Sequence, residues 1–322
     1  MSLDIIYEPV RGDLARVEAG LKALSKVSFT WLARLLEHSL ESSGKRIRPA
    51  LVLLAGKFYR YDTDLLLPTA LAVEVLHTAT LVHDDAIDNS PRRRGRPTVN
   101  KLWGDDKAIL LGDYLIAKAE ELASQTQNIR VIRLFTQAVM TLASGELGQA
   151  FSAFEPEQTR EQYLARISAK TASLITLALE AGAVLSQAPE EKISAIKEYG
   201  YNLGIAFQII DDILDFVGDE REMGKPTGSD LNEGTLTLPS LLLLERCPDD
   251  NPVKRLFRQE GDKQENLKLA VETVRASGVI EECYRVAAEY VARACRALDL
   301  LPDKPARRSL RELARYVAAR NR

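Results

Sequence analysis

Residues 70–88 read ALAVEVLHTATLVHDDAID. Leu71, Val75, Thr78 and Val82 recur at helical spacing, and neither glycine nor proline interrupts the run. The stretch predicts a helix that is apolar for most of its length and then ends in three acids, Asp84, Asp85 and Asp88. Four residues after Asp88 the sign has reversed. NSPRRRGRPT carries Arg92, Arg93, Arg94 and Arg96. An ordinary surface mixes its charges, whereas here two blocks of opposite sign flank a turn. Such an arrangement asks for a bound group that is not part of the chain.

Working outward, the same helical habit fills the sequence. VIRLFTQAVMTLASGELGQAF (131–151), ISAKTASLITLALEAGAVLSQA (167–188) and IKEYGYNLGIAFQIIDDILDFVG (196–218) are rich in alanine and leucine, both helix formers. Alternating strand-like runs bounded by Asn-Gly or Asp-Gly are missing. The polar stretch from Arg246 to Leu267 does not read as a linker, because helical patterning resumes after it. The expectation is one all-α domain over residues 1–322, with a central helix surrounded by others.

Composition narrows the function classes. The chain has 322 residues, 46% hydrophobic and 28% charged, enough for a sizeable core. A formal net charge of −3 argues against a general nucleic-acid binder, so the arginine block serves local chemistry. Cys247, Cys283 and Cys295 lack metal-ligand spacing and read as free thiols of a reducing compartment. The N-terminus has acids among its apolar residues, unlike a signal peptide. Apolar runs such as LPSLLLLE are too short to cross a bilayer. A cytoplasmic protein without a membrane span is expected.

The acidic pattern occurs twice. Asp84-Asp85-Ala86-Ile87-Asp88 returns as Asp211-Asp212-Ile213-Leu214-Asp215. On a helix, Asp84 and Asp88 share a face, and so do Asp211 and Asp215. Two carboxylates about 6 Å apart repel by ~3 kcal/mol at an effective dielectric near 20. A divalent cation offsets that cost, and all-oxygen ligands suit Mg²⁺ better than zinc. Mg²⁺ held by a few carboxylates keeps positions open for phosphate oxygens, which guanidinium groups also grip. A second basic cluster, Lys45, Arg46 and Arg48 in GKRIRP, suits a second phosphate group.

Six segments together resemble the trans-polyprenyl diphosphate synthases. They are GKRIRP, LHTATLVHDDAIDNSPRRRGRPT, GDYLIAKA, SAKTASL, FQIIDDILDF and GKPTGSDLNEGTLTLP, in this order over residues 44–239. The resemblance implies a helical bundle around a deep apolar cavity, a homodimer, and several Mg²⁺ ions per active site. It implies a reaction joining isopentenyl diphosphate head to tail with an allylic diphosphate. Asp84, Asp88 and Asp211 match direct metal ligands, and Asp85, Asp212 and Asp215 complete the two motifs. Arg93, Lys170, Thr171, Gln208 and Lys225 match the allylic diphosphate site, with Lys170 also counted in the catalytic set. Lys45, Arg48, His77 and Arg94 match the isopentenyl diphosphate site.

Product length follows from the residues one turn before Asp84. Ala79 and Thr80, with Leu76 further down, form the expected chain-length wall, where short-chain relatives carry aromatics. Small residues imply an open tunnel and a product of hexaprenyl length or longer, whose release calls on a membrane or carrier. A geranylgeranyl or farnesyl product is the alternative, if another helix closes the floor. A class I terpene cyclase would leave GKRIRP and His77 without a substrate. A non-catalytic partner subunit would be expected to lose an acidic motif. Departures from the family pattern are Thr235 in place of a lysine, Gly148 in place of a bulkier residue, and Glu120 and Glu121 where an aromatic is common.

Overall fold

A computed structural model describes residues 2–40, 44–218, 226–249 and 251–319. The principal helices are α1 (Arg11–Leu24), α2 (Thr30–Leu40), α3 (Ile47–Gly56), α4 (Thr63–Ile87), α5 (Asp105–Ser124), α6 (Ile129–Phe151), α7 (Arg160–Ile167), α8 (Ser173–Leu185), α9 (Glu190–Val217), α10 (Leu238–Arg246), α11 (Lys263–Ala276), α12 (Val279–Leu298) and α13 (Pro305–Ala318). Among the described residues the only strands are β1 (Arg92–Arg93) and β2 (Arg96–Pro97). With 77% of the chain helical, the fold is all-α, as the periodicity implied. The chain divides into two compact units. One comprises residues 1–139, 174–200 and 296–313, the other 140–173, 201–295 and 314–322.

In the first unit, α4 is the central element. Asp62 caps it by accepting from the Asp64 N–H. Residues on every face are buried, from Leu66 and Ala70 through Val73, Val75, Leu76 and Ala79 to Val82. The single stripe read from Leu71, Val75, Thr78 and Val82 was therefore too narrow. α3 is buried from Pro49 to Gly56.

α4 also corrects the expectation about apolar length. Thr63–Ile87 and the continuous helical run Arg160–Leu185 are each long and apolar enough to cross a membrane. Counting uninterrupted apolar letters had missed them, because isolated polar residues break the runs. In both, 61% of the apolar window is buried within the protein, the packing of a core helix.

The C-terminal end of α4 is pinned to α5. The His83 imidazole lies where a β-carbon on Gly112 would stand, 2.0 Å from it. Its Nε2 donates to the Ile109 carbonyl at 3.0 Å and lies 3.5 Å from Asp113. The glycine that opens GDYLIAKA thus makes room for the residue beside Asp84.

The second unit closes around the last turns of α9. Ile205, Ile209, Ile213 and Phe216 sit at helical spacing and pack with Tyr163, Ile167, Leu231, Leu236 and Leu241. α7 starts with a capping box, Thr159 with Gln162. It then passes into a π-helical segment, Ser168–Ala172, which no sequence period announced. Such a bulge re-aims side chains and often marks a functional position. This one contains Lys170 and Thr171.

Gly112→Ala should destabilise the protein by roughly 1–3 kcal/mol through overpacking against His83. Denaturant unfolding would show it. Much of the loss should be recovered in the double variant with His83→Ala, because the two changes share one contact.

Candidate active site

The first acid motif sits at the C-terminal end of α4, with Asp88 as the capping residue. The helix dipole is negative there and disfavours each acid by about 0.3–1 kcal/mol. The three carboxylates have different surroundings. Asp88 is exposed, Asp84 half-buried and Asp85 buried. Arg93 answers Asp85 with a fork: its Nε lies 2.9 and 3.0 Å from the two carboxylate oxygens, and an Nη 2.9 Å from one of them. Asp85 therefore positions the arginine hairpin.

That hairpin turns at Arg94-Gly95, with φ of 51° and 78°. Two successive positive φ values in a two-residue loop are the type I′ solution. Arg94 bears the strain of a left-handed backbone without being glycine. Arg46 in GKRIRP does the same, at φ 48°.

The two basic clusters meet. A β-carbon on Gly44 would lie 3.1 Å from an Arg94 Nη and 3.3 Å from an Arg46 Nη. Arg46 itself is committed to structure. It pairs with Glu18 at 2.5 Å and with buried Glu74 at 2.7 Å. This removes Arg46 from the phosphate-binding set suggested by its cluster and leaves Lys45 and Arg48. Lys45 is exposed and Arg48 half-buried. His77 is held well below its ordinary pKa by burial, then by Arg48, Arg94, Arg93 and Arg46. It is a neutral imidazole among cations. The Arg94 guanidinium is likewise lowered by burial first and by Arg93 second. A cavity of about 70 Å³ opens here, lined by His77, Arg93, Arg94 and Arg96 among others. Leu76 and Ala79 are buried in this unit, and the half-buried Thr80 donates its hydroxyl to the His77 carbonyl at 2.8 Å.

The second motif occupies the last two turns of α9, again near the negative end of a dipole. Asp211 is half-buried. Asp212 is 2% exposed and holds a hydrogen-bond chain together. Thr171 donates to the Gln208 carbonyl oxygen at 2.5 Å, the Gln208 amide donates to Asp212 at 2.8 Å, and Tyr163 donates to the other Asp212 oxygen at 2.7 Å. Burial, then the nearby Asp230, pushes the Asp212 carboxyl up to about 7. Asp215 is fully buried. Its oxygens accept from the Ser229 hydroxyl at 2.6 Å and the Asp230 N–H at 3.2 Å, so it shapes the loop that follows the helix. The shared face of Asp211 and Asp215 thus divides into one half-buried acid and one structural acid.

Lys170 lies between Glu146 Oε1 at 2.8 Å and the Gln149 side-chain oxygen at 3.0 Å. Lys225 lies outside the described residues. Tyr163 and Asp230 were not read from the sequence. Tyr163 precedes SAKTASL with no local signal, and Asp230 looked like an ordinary loop acid. Of the departures, Gly148 faces open space and Thr235 donates its N–H to the Asp230 carbonyl at 2.8 Å. Glu121 pairs with Lys118 at 2.7 Å, and half-buried Glu120 has its pKa raised by desolvation.

The polyprenyl synthetase family model matches residues 29–274. This chain belongs to the polyprenyl synthetase family. It is a prenyltransferase. It is 37% identical over its whole length to heptaprenyl diphosphate synthase component 2 of Geobacillus stearothermophilus, which it also covers fully. A decaprenyl diphosphate synthase structure from Rhodobacter capsulatus matches with a TM-score of 0.92 at 36% identity, covering 99% of each chain. A polyprenyl synthase from Caulobacter crescentus CB15, complexed with calcium and isoprenyl diphosphate, matches with a TM-score of 0.94 at 33% identity, covering 100% of this chain and 98% of that one.

In this polyprenyl synthetase, Tyr163→Phe should cost about 1–3 kcal/mol of stability, because a buried carboxylate loses a donor. Thermal unfolding of the metal-free protein tests this, with Tyr290→Phe, a half-buried tyrosine, as the control expected to stay near wild type.

Proposed function

We propose that this prenyltransferase condenses isopentenyl diphosphate with an allylic diphosphate, head to tail, to make an all-trans polyprenyl diphosphate of hexaprenyl length or longer. The observation that carries the reading lies in the first unit: Asp85 at the end of α4 and Arg93, Arg94 and Arg96 line one cavity beside neutral His77. Cations crowded around an imidazole that stays neutral suit a polyanionic substrate. The heptaprenyl and decaprenyl synthases among the relatives support the product class.

Mg²⁺ fits the donor set. Among the described residues no three His, Cys, Asp or Glu side chains form a ready-made cage. Mg²⁺ is characteristically held by one or two carboxylates plus substrate phosphates. Asp84, Asp88 and Asp211 would hold it, with Asp85 and Asp212 fixing the surroundings. When bound, it supplies positive charge to the leaving diphosphate.

The chain's own residues do the rest. Arg93, Lys170, Thr171, Gln208 and Lys225 hold the allylic diphosphate, and Lys45, Arg48, His77 and Arg94 hold isopentenyl diphosphate. Neutral His77 contributes a hydrogen bond there without adding charge. These donors stabilise charge as it grows on the departing diphosphate. Apolar walls keep water from the allylic cation. The departing diphosphate takes the proton, so no side-chain base is assigned. Leu76, Ala79 and Thr80 form the wall that sets chain length.

The family match runs through both compact units, which supports reading residues 1–322 as a single polyprenyl synthetase domain, and we place it in the cytoplasm. We also propose a homodimer. Met140, Leu147 and Phe151 lie on one face of α6 and are 66%, 60% and 90% exposed. An apolar row of that kind marks an interaction surface.

Incubation with Mg²⁺, isopentenyl diphosphate and farnesyl diphosphate should give a product ladder ending at hexaprenyl or beyond by mass spectrometry. No elongation from any allylic primer would overturn the reading. Ala79→Phe should shorten the final product, and an unchanged distribution would remove Ala79 from the wall. By light scattering the wild type should have twice the monomer mass, and Leu147→Glu should shift it towards monomer.

A further inference from the structure

Ser39 lies on the last turn of α2 and is only 9% exposed. Its hydroxyl has no hydrogen-bond partner among the described residues. Buried polar atoms are normally satisfied, so an exception asks what satisfies it. Ser39 lines the same cavity as His38, His77, Arg93, Arg94 and Arg96. The hydroxyl therefore belongs to a cavity lined by four arginines.

The hydroxyl is also held in place. The adjacent His38 donates from Nε2 to the Pro97 carbonyl at 2.9 Å and meets the Trp103 ring edge-on at 5.2 Å. Because a carbonyl only accepts, the proton is on Nε2. These contacts tie the end of α2 to β2, the strand that follows Arg94. Ser39 and Arg94 are thus parts of one braced structure.

The lining carries four arginines against two carboxylates, Glu74 and Asp85, which already accept from Arg46 and Arg93, so donors are in excess. A water there would compete for the same lining. An anion brings several acceptor oxygens at once, and a serine hydroxyl can donate to one of them without adding charge to an already cationic site.

We propose that Ser39 is a substrate-binding residue, whose hydroxyl donates to a diphosphate oxygen of the isopentenyl diphosphate held by His77 and Arg94. This rests on the assignment of that cavity to isopentenyl diphosphate. Leaving a donor unsatisfied until substrate arrives spends stability on binding, so removing it should affect the two in opposite directions.

Ser39→Ala tests this in the full-length enzyme. KM for isopentenyl diphosphate should rise about tenfold, the effect of one hydrogen bond to a charged group. KM for farnesyl diphosphate should stay near wild type, and the metal-free, substrate-free variant should melt at the wild-type temperature or above. An unchanged KM for isopentenyl diphosphate would overturn the proposal and assign the hydroxyl to water. A lower melting temperature with both KM values raised would also overturn it, in favour of a structural role. Inactive wild-type protein would instead refute the underlying synthase reading.

Discussion

Everything in this protein answers to one constraint: carboxylates are placed at the C-terminal ends of long, buried helices. α4 and α9 each end with three aspartates where the backbone dipole already presents negative charge. Neither placement is favourable by itself. The surroundings compensate acid by acid. Asp85 receives a guanidinium fork, Asp212 two neutral donors, and Asp215 a hydroxyl and a backbone N–H. Asp84 and Asp211 are half-buried and Asp88 is exposed.

This division of labour explains why repeated motifs need not be repeated sites. Asp85 and Asp212 hold the same place in the pattern, yet one anchors an arginine and the other ends a chain of uncharged hydrogen bonds. The difference traces to neighbours: a hairpin with four arginines follows the first motif, whereas Tyr163 and Gln208 flank the second. The arginines are arranged with similar economy. Arg46 is held by Glu18 and Glu74, and Arg94 stands beside it in a strained turn. A turn fixed in advance carries no ordering cost into any binding event it serves.

The fold class was legible because helical period and alanine–leucine composition are local signals, and they agree along the chain. The acids and arginines of the candidate site stand out in the sequence because they come as blocks. What escaped was non-local or irregular. Tyr163 finds Asp212 across 49 positions, which no spacing reveals. The π-helical segment at Lys170 leaves no period of its own. Ser39 reads as one more serine until its burial and its neighbours are known. Arg46 illustrates the opposite error, since membership in a basic cluster did not predict its commitment to two glutamates. Apolar length was misjudged because polar letters inside α4 hid a helix that packing keeps intact.

Neither compact unit is a continuous stretch of chain. The first uses residues 1–139, returns at 174–200 and again at 296–313. Tyr199 donates to the Leu310 carbonyl at 2.7 Å, one of the ties that bring the last piece home. On the ribosome, therefore, the helix that carries the first acid motif is made early but waits for nearly the whole chain before its unit can close. Its apolar faces are exposed through that interval, and contacts spanning so much sequence form slowly. Synthesis order thus sets how long those faces stay uncovered.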